Sequence, residues 1–292
     1  MTAQARGFTL IEMSIVLVII GLIVGGTMVG QTLIQASQMR ALMTQVERYK
    51  TAALTFRDKY YALPGDIANA TAFWPADPSC GTGGSAGVRP YMATPNGKTC
   101  NGDGNGIIEG NYDVEEVLFW QHLNLAGLIQ DGPFTGTCAY AGANCSSDSE
   151  TYNLLNAPTY PIHPGAGIIR MLNPDIRFPN TSYFNYFVPQ GGQHVFYLNG
   201  WSGTDGSGNT IVNGYGAPAL TPGELFALDT KYDDGLPASG VITGGYAEIN
   251  GGGTTLTANA CYNGSVSPPA YYSSSSSAYN TLRCAPMFKA GF

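Results

Sequence analysis

The stretch that decides the architecture is GFTLIEMSIVLVIIGLIVGGTMVG, from Gly7 to Gly30. Phe8 to Val29 is an apolar run of 22 residues. Coiled as a helix it is about 33 Å long, enough to cross a hydrocarbon core of about 30 Å. One charge interrupts it, Glu12. A carboxylate inside a membrane helix costs about 2.5–3.5 kcal/mol on the mildest insertion scale. Glu12 is therefore a defect or one half of a pair. An ordinary secretory signal has a shorter apolar core followed by a small-residue cleavage site. This run is too long and has no such site after it. An ordinary membrane anchor leaves Glu12 unexplained.

C-terminal to the run, the apolar positions become periodic. Leu42, Val46, Tyr49, Ala53, Phe56 and Tyr60 follow one another at spacings of 4, 3, 4, 3 and 4. That is one stripe on an amphipathic helix. Arg40, Glu47, Arg48, Lys50, Arg57 and Asp58 fall off the stripe, and Pro64-Gly65 stops the helix. One helix of about 50 residues is predicted over 8–60. Residues 8–30 form a transmembrane or filament core, and residues 31–60 an amphipathic half that packs on a head. Gly21, Gly25, Gly26 and Gly30 lie between the halves at two G-x-x-x-G spacings. They serve close helix packing or local melting, each glycine weakening the helix by about 1 kcal/mol against alanine.

The motif G-F-T-L-I-E resembles the leader of type IV pilins and type II secretion pseudopilins. The match covers the leader glycine Gly7, the aromatic first mature residue Phe8 and the glutamate Glu12 at the fifth mature position. The resemblance implies that residues 1–7 are a leader, removed after Gly7 by a prepilin peptidase that also N-methylates Phe8. It implies a single-pass protein of the bacterial inner membrane, N-terminus inside. From there it enters a periplasmic or extracellular filament of itself or related subunits, driven by an inner-membrane platform and an ATPase. It also gives Glu12 a partner, the N-terminal ammonium of a neighbouring subunit. An ion pair in a low dielectric is worthwhile when both charges would otherwise be buried alone. Glu12 then sets register.

Composition separates the head, residues 61–292, from this helix. Charged residues are 11% of the chain, against roughly 25% in an average soluble domain. Gly, Pro and Tyr are abundant, at 39, 18 and 18 residues. The balance suits an exported, loop-rich protein with strands. A net charge of −7 argues against a nucleic-acid partner, whose footprint would be basic. The predicted fold class is α+β and pilin-like: a long N-terminal helix on an antiparallel sheet with large irregular insertions. Residues 61–164 read as irregular, with one helix near 113–129 opened by Asp113-Val-Glu-Glu116. Residues 165–260 read as the sheet, with strands at 167–172, 183–188, 193–199, 241–249 and 254–261. A helix opens in their midst at Thr221-Pro222-Gly223-Glu224. Residues 261–284 read as a C-terminal cysteine loop, like the disulfide-bounded region of pilins.

Cys80, Cys100, Cys138, Cys145, Cys261 and Cys284 are even in number, with no C-x-x-C pair. Disulfides in an oxidising compartment fit better than zinc. Near-neighbour pairing is expected: Cys80–Cys100, Cys138–Cys145 and Cys261–Cys284. Two acidic stretches invite Ca²⁺. Asn101, Asp103 and Asn105, with Gly106 at the sixth place, match the first half of an EF-hand loop. The twelfth place is Tyr112, so Glu109, Asp113 or Glu116 would have to close the shell. The bland reading is a Gly/Asn turn. Asp229, Asp233 and Asp234 form the second stretch, or else a helix-ending turn beside Lys231. The head carries 17 acidic and 7 basic side chains, which favours at least one bound cation.

Catalysis finds little support. Gly83-Gly-Ser85-Ala-Gly87 fits G-x-S-x-G only formally, in a glycine-rich loop. His122 reads as a surface or core-edge residue, and His163 and His194 share no motif with it. The function read from the sequence is a filament subunit, pilus or secretion pseudopilus. The alternative is a low-copy tip adhesin, its Tyr-, Ser- and Gly-rich head recognising a ligand. Intact mass of the exported protein checks the leader. The mass expected begins at Phe8, carries one methyl group and lacks six hydrogens for three disulfides; a chain still beginning at Met1 contradicts it.

Overall fold

The structure is a computed structural model. It describes residues 9–78, 80, 96–108, 115–137, 151–152, 157–162, 168–172, 193–200, 203–204, 210–213, 219–244, 261–263, 270–273, 276, 280, 282 and 284–292. Helix α1 runs without a break from Leu10 to Tyr60. Among the described residues it is the helix long and apolar enough to span a membrane, with a mean hydropathy of 2.4 over its best window. Thr9 caps it: its side chain accepts from Glu12 N–H. At the other end Tyr61 takes a left-handed conformation (φ 56°), and its N–H donates to Arg57 O at 2.8 Å. Glycine is usual at such a cap.

The two halves of α1 live in different surroundings. Leu42, Val46, Tyr49, Ala53 and Phe56 are buried, as is Ala52 beside them. The periodic stripe therefore faces the head. From Leu10 to Ile34 the apolar side chains are uncovered: Leu10 is 89% exposed, Leu22 72% and Ile34 60%. Burying one such side chain is worth about 1.5–3 kcal/mol, so this length of helix requires a cover.

Helix α2 (Glu115–Leu125) lies inside the head. Of the predicted 113–129, residues 113–114 lie outside the described residues, and the helix ends short of 129 because the chain turns at Ala126-Gly127, Gly127 having φ +72°. Glu115 to Leu123 are all buried. The helix is thus central, with no solvent face. Trp120 sits edge-on to Tyr49 of α1 with ring centroids 4.9 Å apart. His122, expected at the surface or the core edge, is fully buried, its ring nearly parallel to those of Phe56 at 6.2 Å and Trp74 at 5.7 Å, the three centroids forming a triangle. Its Nδ1 accepts from Gly65 N–H at 2.9 Å. The ring proton must then sit on Nε2, which faces Thr99 Oγ1 at 2.8 Å. A fully hydrogen-bonded imidazole packed against aromatic rings is well placed in a core, which is why it lies inside and not at the surface.

Sheet residues follow. Strands β1 (Thr151–Tyr152), β4 (Gly203–Thr204) and β5 (Thr210–Asn213) form one sheet in the order β1-β5-β4. The principal sheet joins β2 (Ile168–Leu172), β3 (Val195–Asn199), β6 (Ile242–Thr243) and β9 (Met287–Lys289) in the order β2-β3-β9-β6, all antiparallel. Strands β7 (Tyr262–Asn263) and β8 (Ala270–Tyr271) form a hairpin-like pair. Phe196 of β3 meets Tyr49 of α1 at 6.3 Å and Phe119 and Trp120 of α2 at 6.2 and 6.1 Å. The two helices therefore cover one face of the principal sheet, the α+β arrangement expected. Strand β9 was not predicted. It lies beyond Cys284, where no element was expected, yet it occupies a central place in the sheet.

Helix α3 (Pro222–Tyr232) starts as the sequence predicts, with Thr221 and Glu224 forming a capping box. Of the other predicted strands, 183–188 lies outside the described residues. So do most of 241–249 and all of 254–261 except Cys261. Cys80 is joined to Cys100 and Cys261 to Cys284; Cys138 and Cys145 lie outside the described residues.

One buried ion pair ties helix to sheet. Arg170 of β2 donates from Nε to Glu116 Oε1 at 2.8 Å and from Nη2 to Oε2 at 3.0 Å, with both side chains almost fully buried. Removing one partner of such a pair strands a buried charge, at a cost of about 3–5 kcal/mol. Arg170→Met should lower stability by that amount in urea unfolding. Adding Glu116→Leu should recover most of the loss. Equal stabilities of the single variant and the wild type would show that the pair is not buried.

Candidate functional site

Two features carry chemistry: the start of α1 and a pair of acidic groups on the head. At the start of α1, Thr9 N–H and Thr9 Oγ1–H both donate to Glu12 Oε2, at 2.8 and 2.7 Å. Glu12 N–H returns a bond to Thr9 Oγ1 at 3.3 Å. This reciprocal capping box holds the carboxylate against the helix end and satisfies one of its oxygens. The other oxygen, Oε1, has no partner among the described residues. A charge fixed in that way, one oxygen held and one open, is suited to receive a cation from another molecule. Gly7 and Phe8 lie outside the described residues.

The first acidic group draws on three separate segments. Asp66 follows the turn that ends α1, Asp103 comes from the loop 101–108, and Glu115 opens α2. One carboxylate oxygen from each lies within 4.8 Å of the others. Gly65 and Gly102 make this close approach possible. A Cβ on Gly65 would strike Glu115 O, and one on Gly102 would strike the backbone of Gly65 and Asp66. Asp66 accepts from Gly104 N–H at 2.8 Å and Gly106 N–H at 3.0 Å. Glu115 Oε1 accepts from Asp103 N–H at 2.9 Å. Burial above all, and then the neighbouring Asp103, push the Asp66 carboxyl up to about 6, against the pull of those two N–H groups. An all-carboxylate set of this kind matches the hard oxygen donors that Ca²⁺ takes.

Of the residues singled out in the loop, Asp103 is in this group. Asn101 Oδ1 accepts from Thr71 N–H. Asn105 Oδ1 accepts from Ile107 N–H, and Asn105 Nδ2 donates to Asp103 Oδ2. The two asparagines thus shape the loop. Glu116 faces Arg170, and Glu109 and Asp113 lie outside the described residues. Asp66 and Glu115 escaped the sequence reading. Asp66 is distant in sequence, and no spacing signal sets Glu115 apart from its neighbour Glu116.

The second group, Asp229, Asp233 and Asp234, is local to the end of α3. Its oxygens cap the backbone. Asp229 accepts from Tyr271 Oη–H at 2.8 Å and Gly235 N–H at 3.2 Å. Asp233 Oδ2 accepts from Val241 and Ile242 N–H, and Asp234 accepts from Leu236 N–H and Ser239 Oγ–H. Burial first, then the neighbouring Asp234 and Asp233, push Asp229 up to about 6. Ser239 and Leu236 hold exposed Asp234 below the usual carboxylate range. Burial and Asp229 push the Tyr271 hydroxyl up, so it remains a donor.

Residues 2–28 match the family model of the prokaryotic N-terminal methylation motif, the leader signature of type IV pilins and pseudopilins. No curated protein and no solved structure matches the chain. The chain therefore carries the leader of a pilin-like or pseudopilin precursor. The motif implies processing by a prepilin peptidase and assembly into pilus-like filaments, and with the apolar helix it fits anchoring in the membrane before assembly.

The raised carboxyls set a pH dependence. Folded Asp66 and Asp229 hold protons up to about pH 6, whereas the unfolded chain releases them near 3.8. Their stabilising contribution is complete below 3.8 and is lost as pH rises through about 6. In calcium-free buffer the melting temperature of wild type should therefore fall between pH 4 and pH 7 relative to Asp66→Asn, which has no such proton to lose. Parallel pH profiles for the two proteins would contradict the assignment.

Proposed function

We propose that this chain is a structural subunit, pilin or pseudopilin, of a type IV pilus or a type II secretion-like filament. It is assembled through its N-terminal helix, and the large head favours a minor position. The observation that carries the reading is the lower half of α1, whose apolar side chains are bare and whose one charge is Glu12. A bilayer covers the apolar surface before assembly, and the helices of other subunits cover it afterwards. Glu12 gains nothing from lipid. Its open Oε1 gains from the ammonium released at Phe8 of an adjacent subunit, and both charges are then neutralised where water is absent. An inner-membrane platform and a cytoplasmic ATPase supply the work of extraction. After assembly the subunit is periplasmic or extracellular.

A second reading, the tip adhesin, is favoured by the far end of α1. Tyr61 is 92% exposed and Phe73 52% exposed. Phe73 meets Tyr60 at 5.0 Å and Trp74 at 5.9 Å. Tyr61 holds a conformation that is costly for a side-chain-bearing residue, with no burial to offset it. An aromatic patch at the end remote from the membrane suits recognition of a ligand. Abundance separates the readings: a structural subunit makes up much of a purified filament, and a tip subunit is a trace.

Calcium at Asp66, Asp103 and Glu115 is part of the proposal. The ion would offset the charge the three carboxylates bring together and pin loop 101–108 to the start of α2. Its test is a rise in melting temperature with millimolar Ca²⁺ that EGTA reverses and Asp66→Asn abolishes.

The assembly test rests on Glu12. Glu12→Ala should abolish incorporation into filaments while leaving the chain in the membrane, since it removes a charge from the apolar run. Thr9→Val should weaken incorporation less, because it loosens the carboxylate without removing it. Immunoblotting of sheared filaments and membranes reads both, and normal incorporation of Glu12→Ala would overturn the proposal.

A further inference from the structure

A groove of about 600 Å³ lies where α1 enters the head. Ala41, Thr44, Gln45 and Arg48 of α1 form one wall, and Asp131 and Thr159 belong to the other. Gln45 Nε2 donates to Tyr49 Oη at 2.8 Å and to Thr159 O at 2.7 Å, which fixes the floor. Arg48 Nη2 donates to Asp131 Oδ2. Asp131 Oδ1 has no partner among the described residues, and its side chain is 28% exposed.

The groove continues the face of α1 that carries Glu12. At about 100° per residue, eighteen residues make five turns. Glu12, Gly30 and Arg48 therefore point the same way. Val16, Ile19, Ile23, Gly26, Ile34, Ser37, Ala41 and Thr44 lie within about 40° of that line. A helix laid along this face against Glu12 runs on upward into the groove.

Register then selects what enters. If the amine of Phe8 on a second copy meets Glu12, that copy is displaced upward by four residues, about 6 Å. Its Arg40 then stands level with Thr44, in the groove. Arg40 is exposed and makes no ion pair among the described residues. Between Phe8 and Glu47 it is the one basic residue of the sequence. Within its own chain it sits two turns, about 12 Å, below Arg48.

We propose that the groove receives the α1 neck of a second copy of this chain, with Arg40 of that copy pairing to Asp131. The inference rests on α1 being a polymerisation helix. It adds a second charge contact at the same four-residue displacement as the one at Glu12. Two contacts about 48 Å apart along one helix fix the axial position more sharply than either does alone, and charge complementarity of this kind sets register. The contact is heterologous, since the face bearing Arg40 differs from the face bearing the groove, so it propagates along a fibre and does not close a dimer.

Arg40→Cys combined with Asp131→Cys in the full-length chain tests it. Mild oxidation of sheared filaments should give a ladder of covalent oligomers that neither single variant gives, and that Glu12→Ala removes. Arg40→Glu, which leaves the head untouched, should lower incorporation and should regain it when Asp131→Arg is added. Filaments that assemble normally but yield only monomer after oxidation, or that take up Arg40→Glu as readily as wild type, overturn the groove contact and leave the filament reading standing. If the wild-type chain never enters a filament, the filament reading fails, and this contact with it.

Discussion

A single carboxylate in an apolar rod constrains everything else. The first twenty residues of α1 offer lipid and neighbouring helices nothing but hydrocarbon and glycine, apart from Glu12 and a few hydroxyls. Membrane burial of that charge is unfavourable by an amount comparable to burying one or two large aliphatic side chains. The capping box with Thr9 lowers the cost by satisfying one oxygen, but it leaves the charge in place. The chain is thus most stable where a cation meets Oε1, and leader removal would create such a cation only a few residues away. In the filament proposed above, processing, membrane residence and polymerisation are linked through that one electrostatic requirement.

The head is built around the other half of the same helix. Tyr49 and Phe56 are fully buried, and the aromatic network of Trp120, Phe119, Phe196 and the His122 imidazole surrounds them. Arg170 and Glu116 lock the helical layer to the sheet. For the filament role proposed above a rigid junction matters, because force applied along α1 must reach the head without turning it. The Cys80–Cys100 and Cys261–Cys284 disulfides and the acidic loop 101–108 tie described segments with little regular structure of their own, where covalent and polar ties take the place of extensive packing.

Local patterns were legible, and distant meetings were not. The four-three stripe from Leu42 to Tyr60 foretold which side of α1 is buried, and Thr221 with Glu224 foretold where α3 begins. Those signals are complete within a few residues. Strand β9 was invisible because Met287–Lys289 is too short to show a period, and only its partners Val195–Tyr197 and Ile242–Thr243 make it a strand. His122 was misplaced for a related reason: its neighbours Gly65 and Thr99 come from remote parts of the chain. The acidic group shows the same limit. Asp103 announced itself through an Asn-Gly-Asp-Gly-Asn pattern, whereas Asp66 and Glu115 join it only through close backbone contacts at Gly65 and Gly102. A spacing motif reports the ligands one loop can offer, and the fold adds those that other segments bring.

A reconstruction of the purified filament at side-chain resolution tests the central claim most directly. The account predicts a mature chain that starts at Phe8, with its amine within hydrogen-bond distance of Glu12 Oε1 on an adjacent subunit and the bare face of α1 enclosed by other helices. A fibre in which Glu12 meets only its own Thr9, or in which the lower half of α1 lies outside the packed core, would contradict it.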